Sequence, residues 1–246
     1  IYTALTVFLW VPAFEGRYEL LTIFVPVDWH IHEILFGFLP AVMTGFLLTA
    51  IPNWTGRPPV SGRPLFLLFL LWVTGRFAVM MSALIGFHAA MVADCSFLLA
   101  VVLVTGREIV ASRNWRNLKV LLPLLLLLIA NILFHYEANF QGLADYSRRL
   151  GLSAALMLIM LIGGRVIPNF TRNWLAKENP GRLPVSFNLS DLIIVLLSIV
   201  ALILWTALPS ETITGALMLI AGGLNTYRLA RWAGYRTTKN PLVLYL

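Results

Sequence analysis

Seven stretches of this chain are each long and apolar enough, or nearly so, to cross a bilayer, and that leaves little freedom in what it can fold into. A spanning helix needs about 20 predominantly apolar residues. Runs of this kind occupy 31–51, 65–85, 89–110, 120–136, 150–167, 189–208 and 213–229, and a partial run, 1–14, precedes them. The apolar stretch 20–27 is too short to span and is expected to lie along the surface or re-enter. Inside lipid every backbone N–H and C=O must find its partner within the segment, so the runs are read as helices. The expected fold is therefore all-α, a polytopic transmembrane helical bundle of about eight spans, counting the partial one. The linkers are short, carry Gly, Pro, Asn and Arg, and leave no room for a soluble domain.

Composition enters through charge. Only 12% of the residues are charged and 59% are hydrophobic, against about a quarter charged in a soluble domain. A net charge of +7 in a soluble protein would suggest nucleic acid. Here the cations sit between the apolar runs, so no nucleic-acid partner is expected and the bilayer is the main solvent. Arg57 and Arg63 follow span 2, and Arg107, Arg113, Arg116 and Lys119 follow span 4. Arg172, Lys177 and Arg182 follow span 6, and Arg228, Arg231, Arg236 and Lys239 follow span 8. The remaining loops are acidic or balanced. By the positive-inside rule the loops after spans 2, 4, 6 and 8 are cytoplasmic.

The chain starts at Ile1, already inside an apolar run, and stops at Leu246, inside what reads as the start of another. It is expected to be a single transmembrane domain, 1–246, truncated at both ends. Cys95 is the single cysteine, so no internal disulfide forms. A repeat is visible: Ile51-Pro52-Asn53-Trp54-Thr55 recurs as Ile167-Pro168-Asn169-Phe170-Thr171. The separation covers four spans, which predicts four-helix units in parallel orientation, about 1–111 and 119–231. Parallel repeats of this kind occur in transporters.

The histidines carry the chemistry. His30 and His32 open span 2, His88 opens span 4 and His135 closes span 5, all at ends expected to be extracytoplasmic. Imidazole is the commonest nitrogen ligand for haem iron, copper and zinc. On a helix, residues two apart point about 200° apart, so only one of His30 and His32 would face a given partner. His32 shares a face with Phe36 and is expected to look inward. Glu33 is a candidate ligand, or an acceptor that fixes an imidazole tautomer. Arg76 lies deep in span 3, about 12 Å below the outer end by helix rise, and an intramembrane arginine needs a partner. Asp94 in span 4 lies at similar depth, so an Arg76–Asp94 ion pair is expected, with a cofactor carboxylate as the alternative. Arg165 reads as snorkelling, the methionines as apolar filling, and Gly163-Gly164 and Gly222-Gly223 as close helix contacts. No Ser/His/Asp set, phosphate-binding loop or Cys-pair zinc motif is present.

The segments His30-Ile31-His32-Glu33-Ile34-Leu35-Phe36-Gly37-Phe38, 45–57, Arg113-Asn114-Trp115-Arg116-Asn117 and 163–175 together resemble the NnrS family over nearly the whole chain. The resemblance implies a bacterial inner-membrane protein of about twelve spans that contains haem and copper. It also implies a link to nitric oxide metabolism and nitrosative-stress resistance, with nitric oxide as a ligand and a membrane or redox protein as a possible partner. By position, His30 and His32 match the family's histidine motif, and His135 closes its Asn-x-x-x-His stretch from Asn131. His88 matches no family position, and the family's C-terminal third is missing. The candidate metal ligands are His30, His32, His88, His135 and Glu33, and the candidate cofactor contacts are His32, His135 and Arg76, with haem and copper themselves implied by the resemblance. Two other readings stay open, a transporter or channel and a scaffold subunit of a larger membrane complex. Convergence of the outer histidines decides among them.

Overall fold

The computed structural model describes residues 2–179 and 181–237. Every regular element among them is helical. Eight long helices follow the apolar runs: α1 (Tyr2–Phe14), α2 (Pro26–Thr55), α3 (Arg63–Met80), α4 (Phe87–Ala111), α5 (Trp115–Phe140), α6 (Tyr146–Glu178), α7 (Leu189–Ala207) and α8 (Thr212–Ala230). Six of them, α2 to α7, are long and apolar enough to cross a membrane. α1 has only 13 residues. α8 is long enough at 19 residues, but its Gly222-Gly223, Asn225 and Arg228 dilute the apolar run. Over the described residues the molecule is thus an all-helical membrane protein with six candidate spans.

Helix ends follow the local sequence. α2 continues past Pro52 and stops where Gly56 takes a left-handed conformation at φ 68°, its N–H donating to the Pro52 carbonyl at 2.8 Å. Only glycine enters that region without steric cost. The second copy of the repeat differs in where its helix stops: Pro168 likewise lies inside α6, which runs on to Glu178. Within α2 the residues Glu33–Phe38 form a π-helical turn. Its neighbour Trp72 donates its indole N–H to the Gly37 carbonyl at 2.9 Å.

The chain divides into two compact units, residues 1–154 and 155–246, with the division inside α6. In the first unit, residues 20–27 fold back into the protein. Ile23 N–H donates to Ser82 Oγ at 2.9 Å and Ala83 N–H to the Leu21 carbonyl at 3.1 Å, which ties this segment to the turn Ser82–Ile85 between α3 and α4. Phe24 thereby joins a core with Trp29, Leu35, Phe36, Val79, Leu98, Leu127 and Phe134. In lipid such a core is held by close packing rather than by escape from water. The α3–α4 approach shows it: a methyl group on Gly75 would lie 3.0 Å from the Asp94 Cα. In the second unit α7 opens on a capping box, Asn188 with Asp191, which satisfies backbone donors that a first helical turn leaves unpaired.

Candidate metal centre

His32, Arg76, Asp94 and His135 each lie four to seven residues from the same end of the bundle, counted from Pro26, Met80, Phe87 and Phe140. That is roughly one to two helical turns of depth. Four helices therefore bring their polar side chains to one level, where water is excluded and any isolated charge is costly.

Asp94 is the hub. Its Oδ1 is paired with the Arg76 guanidinium. Its Oδ2 accepts from Asn131 Nδ2 at 2.8 Å and lies 3.1 Å from His135 Nε2 and 3.2 Å from His32 Nε2. Asn131 Oδ1 in turn lies 3.0 Å from His32 Nε2. Arg76 also donates from Nη1 to Glu33 Oε1 at 2.9 Å, so one guanidinium binds two carboxylates. The side chains of His32, His135 and Asp94 are fully buried, and those of Glu33 and Arg76 nearly so. Room for the guanidinium comes from Gly37, where a methyl group would stand 2.5 Å from Arg76 Nη1.

Charge and donor geometry point the same way. With both carboxylates ionised and both imidazoles neutral, Glu33, Asp94 and Arg76 leave one net negative charge. Three nitrogens crowd Asp94 Oδ2, which has two lone pairs to offer. One nitrogen from each histidine and one Asp94 oxygen lie within 4.8 Å of one another. A cation among these atoms would balance the charge and relieve the crowding. Two imidazole nitrogens with one carboxylate oxygen suit copper, zinc or iron(II). Glu33 Oε1 lies 3.5 Å from His32 Nδ1 and is placed to orient that ring.

A porphyrin does not fit here. The centroids of Phe24, Phe36, Phe134 and His135 stand 5.1–5.4 Å from that of His32. Phe24 also lies 5.2 Å from His135. These rings occupy the space that a macrocycle ligated by either histidine would need, so the cluster fits a single ion and gives no support to haem at these two residues.

Of the residues singled out in the sequence, His32 and His135 converge, with Glu33 and Arg76 beside them. His30 points elsewhere and stacks on Trp10, centroids 4.2 Å apart. His88 is exposed and packs edge-on against Phe87. The expected Arg76–Asp94 pair is present, so Arg76 meets two protein carboxylates where the alternative had a cofactor carboxylate. Cys95 is buried in the core. Two residues of the cluster escaped the sequence reading, Asp94 as a candidate ligand and Asn131 as its hydrogen-bond donor. The signal for Asn131 was its place one helical turn before His135.

The NnrS protein family model matches residues 1–246. The chain belongs to the NnrS family. Neither a curated protein nor a solved structure matches it. The NnrS assignment rests on the full length of the chain, so the histidine-bearing segments of unit 1 and the repeated motif in α6 both fall within it.

Proposed function

We propose that this NnrS-family protein holds one copper ion between His32, Asp94 and His135, and that nitric oxide binds there in the service of nitric oxide metabolism or nitrosative-stress resistance. The observation that carries the reading is the convergence of two buried imidazoles and a carboxylate oxygen within 4.8 Å. The bound ion would supply a Lewis-acidic, redox-capable centre. The chain's own groups do the rest. Arg76 holds one oxygen of Asp94 so that the other faces the histidines. Asn131 donates to that second oxygen, and Glu33 anchors Arg76. Phe24, Phe36 and Phe134 pack around His32, an apolar setting that suits a small, uncharged, lipid-soluble ligand and disfavours a transport path. The charge alternation supports a reading in which this end of the helices faces the periplasm of a bacterial inner membrane, where a membrane or redox partner would meet it.

The test is a metal count on the purified full-length protein after exposure to copper, zinc and iron, joined to a nitric oxide titration followed by visible and electron paramagnetic resonance spectra. About one copper per chain is expected, lost in His32→Ala and His135→Ala with helix content retained. A nitric oxide-dependent spectral change should disappear with it. A well-folded wild type that takes up no metal sinks the metal centre. Stoichiometric copper with no response to nitric oxide sinks the ligand assignment alone.

A further inference from the structure

The second unit carries a buried ionic cluster of the opposite sign. It lies where α8 ends and α7 begins, the end that the charge alternation assigns to the cytoplasm. Arg228 Nε donates to Asp191 Oδ1 at 3.3 Å, and its two terminal nitrogens approach the Met160 carbonyl at 3.4 Å. Arg231 Nη2 lies 3.3 Å from Asp191 Oδ2. Two guanidiniums thus share one carboxylate and leave one net positive charge. The Arg231 side chain is only 10% exposed, yet among the described residues its Nη1 is buried with no partner. A buried donor left unpaired is costly, more so on a charged group.

The surroundings hold this donor in place. The Arg231 guanidinium lies over the Tyr227 ring, 5.8 Å from its centroid, and that of Arg228 over Trp232 at 5.5 Å. Val185 N–H donates to the Arg231 carbonyl at 3.2 Å, which lays the loop before α7 against it. Tyr227 is exposed, as an aromatic ring at the headgroup level is. An excess guanidinium with one terminal nitrogen left over, held by stacking at a membrane face, suits charge-assisted recognition of phosphate. Anionic headgroups lie at that level.

We propose that Arg231 and Arg228 form a binding site for a phosphate-bearing anion, with Arg231 Nη1 as the donor that the anion satisfies. Asp191 competes for the same nitrogens and tunes the affinity.

The test uses the full-length protein in detergent, by native mass spectrometry with phosphatidylglycerol and phosphatidylcholine and by thermal unfolding with added inorganic phosphate. Phosphatidylglycerol should be retained and phosphatidylcholine should not. Arg231→Gln should cut retention about tenfold, the loss of one charge-assisted contact. Arg231→Lys, which keeps the charge and loses the fork, should fall between, and Asp191→Asn should raise retention. Displacement of the lipid by inorganic phosphate, with stabilisation, identifies free phosphate as the ligand. Lipid retention indifferent to phosphate identifies the headgroup. Equal lipid occupancy in wild type, Arg231→Gln and Arg231→Lys, with no stabilisation by phosphate, overturns the site.

Discussion

Replacing Arg76 by leucine tests the physical core of the candidate metal centre. Arg76 is the single cation between Glu33 and Asp94, and all three side chains are at least nine-tenths buried. Removing it strands two carboxylates in lipid-excluded protein. Breaking a buried pair by deleting one partner costs about 3–5 kcal/mol, whereas replacing both partners by apolar groups of similar volume is often close to neutral. Glu33→Leu/Arg76→Leu removes one stranded carboxylate. Asp94 then keeps its Asn131 and histidine contacts on Oδ2. The double variant should therefore lie above the Arg76→Leu single variant, although it carries one more substitution, with a coupling of about 1–3 kcal/mol between the two sites. Equilibrium unfolding in mixed dodecylsulfate micelles, read by tryptophan fluorescence, measures it. Trp29 is buried beside His30 and Trp72 bonds the Gly37 carbonyl, so reporters are in place. If the two single variants add within about 0.5 kcal/mol, as independent sites do, Glu33 and Arg76 are not a coupled buried pair and the account of the centre fails.

Asn131→Leu keeps the volume but removes the donor to Asp94 Oδ2, so copper affinity should fall about 10–100-fold, the usual effect of losing an orienting partner, as read by competition with a chelator. Gly75→Ala sets a methyl group against the Asp94 backbone at 3.0 Å. There α3 and α4 must part, and a cost of about 1–3 kcal/mol with weakened metal binding is expected in the same assays. Gly164→Ala drives a methyl group into the Arg228 guanidinium. It should cost about 1–3 kcal/mol and lower phosphatidylglycerol retention while the copper count stays at the wild-type value.

The hydropathy pattern made the helices legible because in lipid a spanning segment has no alternative to the helix. It did not show where they end. The repeated Ile-Pro-Asn motif reads as a terminus in both copies, yet neither helix stops at the proline. A proline inside a helix forfeits one hydrogen bond, and neighbouring helices tolerate that loss. The stop comes from Gly56, and the residue at the corresponding place after the second copy is Arg172. An arginine does not enter the left-handed region cheaply, so α6 continues to Glu178.

The site was legible by the same logic and limited by it. The two-residue spacing of His30 and His32 forces them apart on a helix, and the structure buries His32 while His30 stacks on Trp10. Sequence depth alone placed Arg76 level with Asp94. What depth cannot encode is that a carboxylate has two oxygens. Treating Asp94 as the counter-ion of Arg76 uses up its charge on paper, yet only Oδ1 meets the guanidinium, and Oδ2 is left for Asn131 and the two imidazoles. Glu33, on the adjacent helix face, supplies the second anion that Arg76 can serve. The guanidinium is therefore divided between two acids, neither is fully neutralised, and the residual negative charge falls where the histidine nitrogens converge. A buried arginine with a single acid would have closed the account with an ion pair. An arginine shared by two acids leaves a place for a cation.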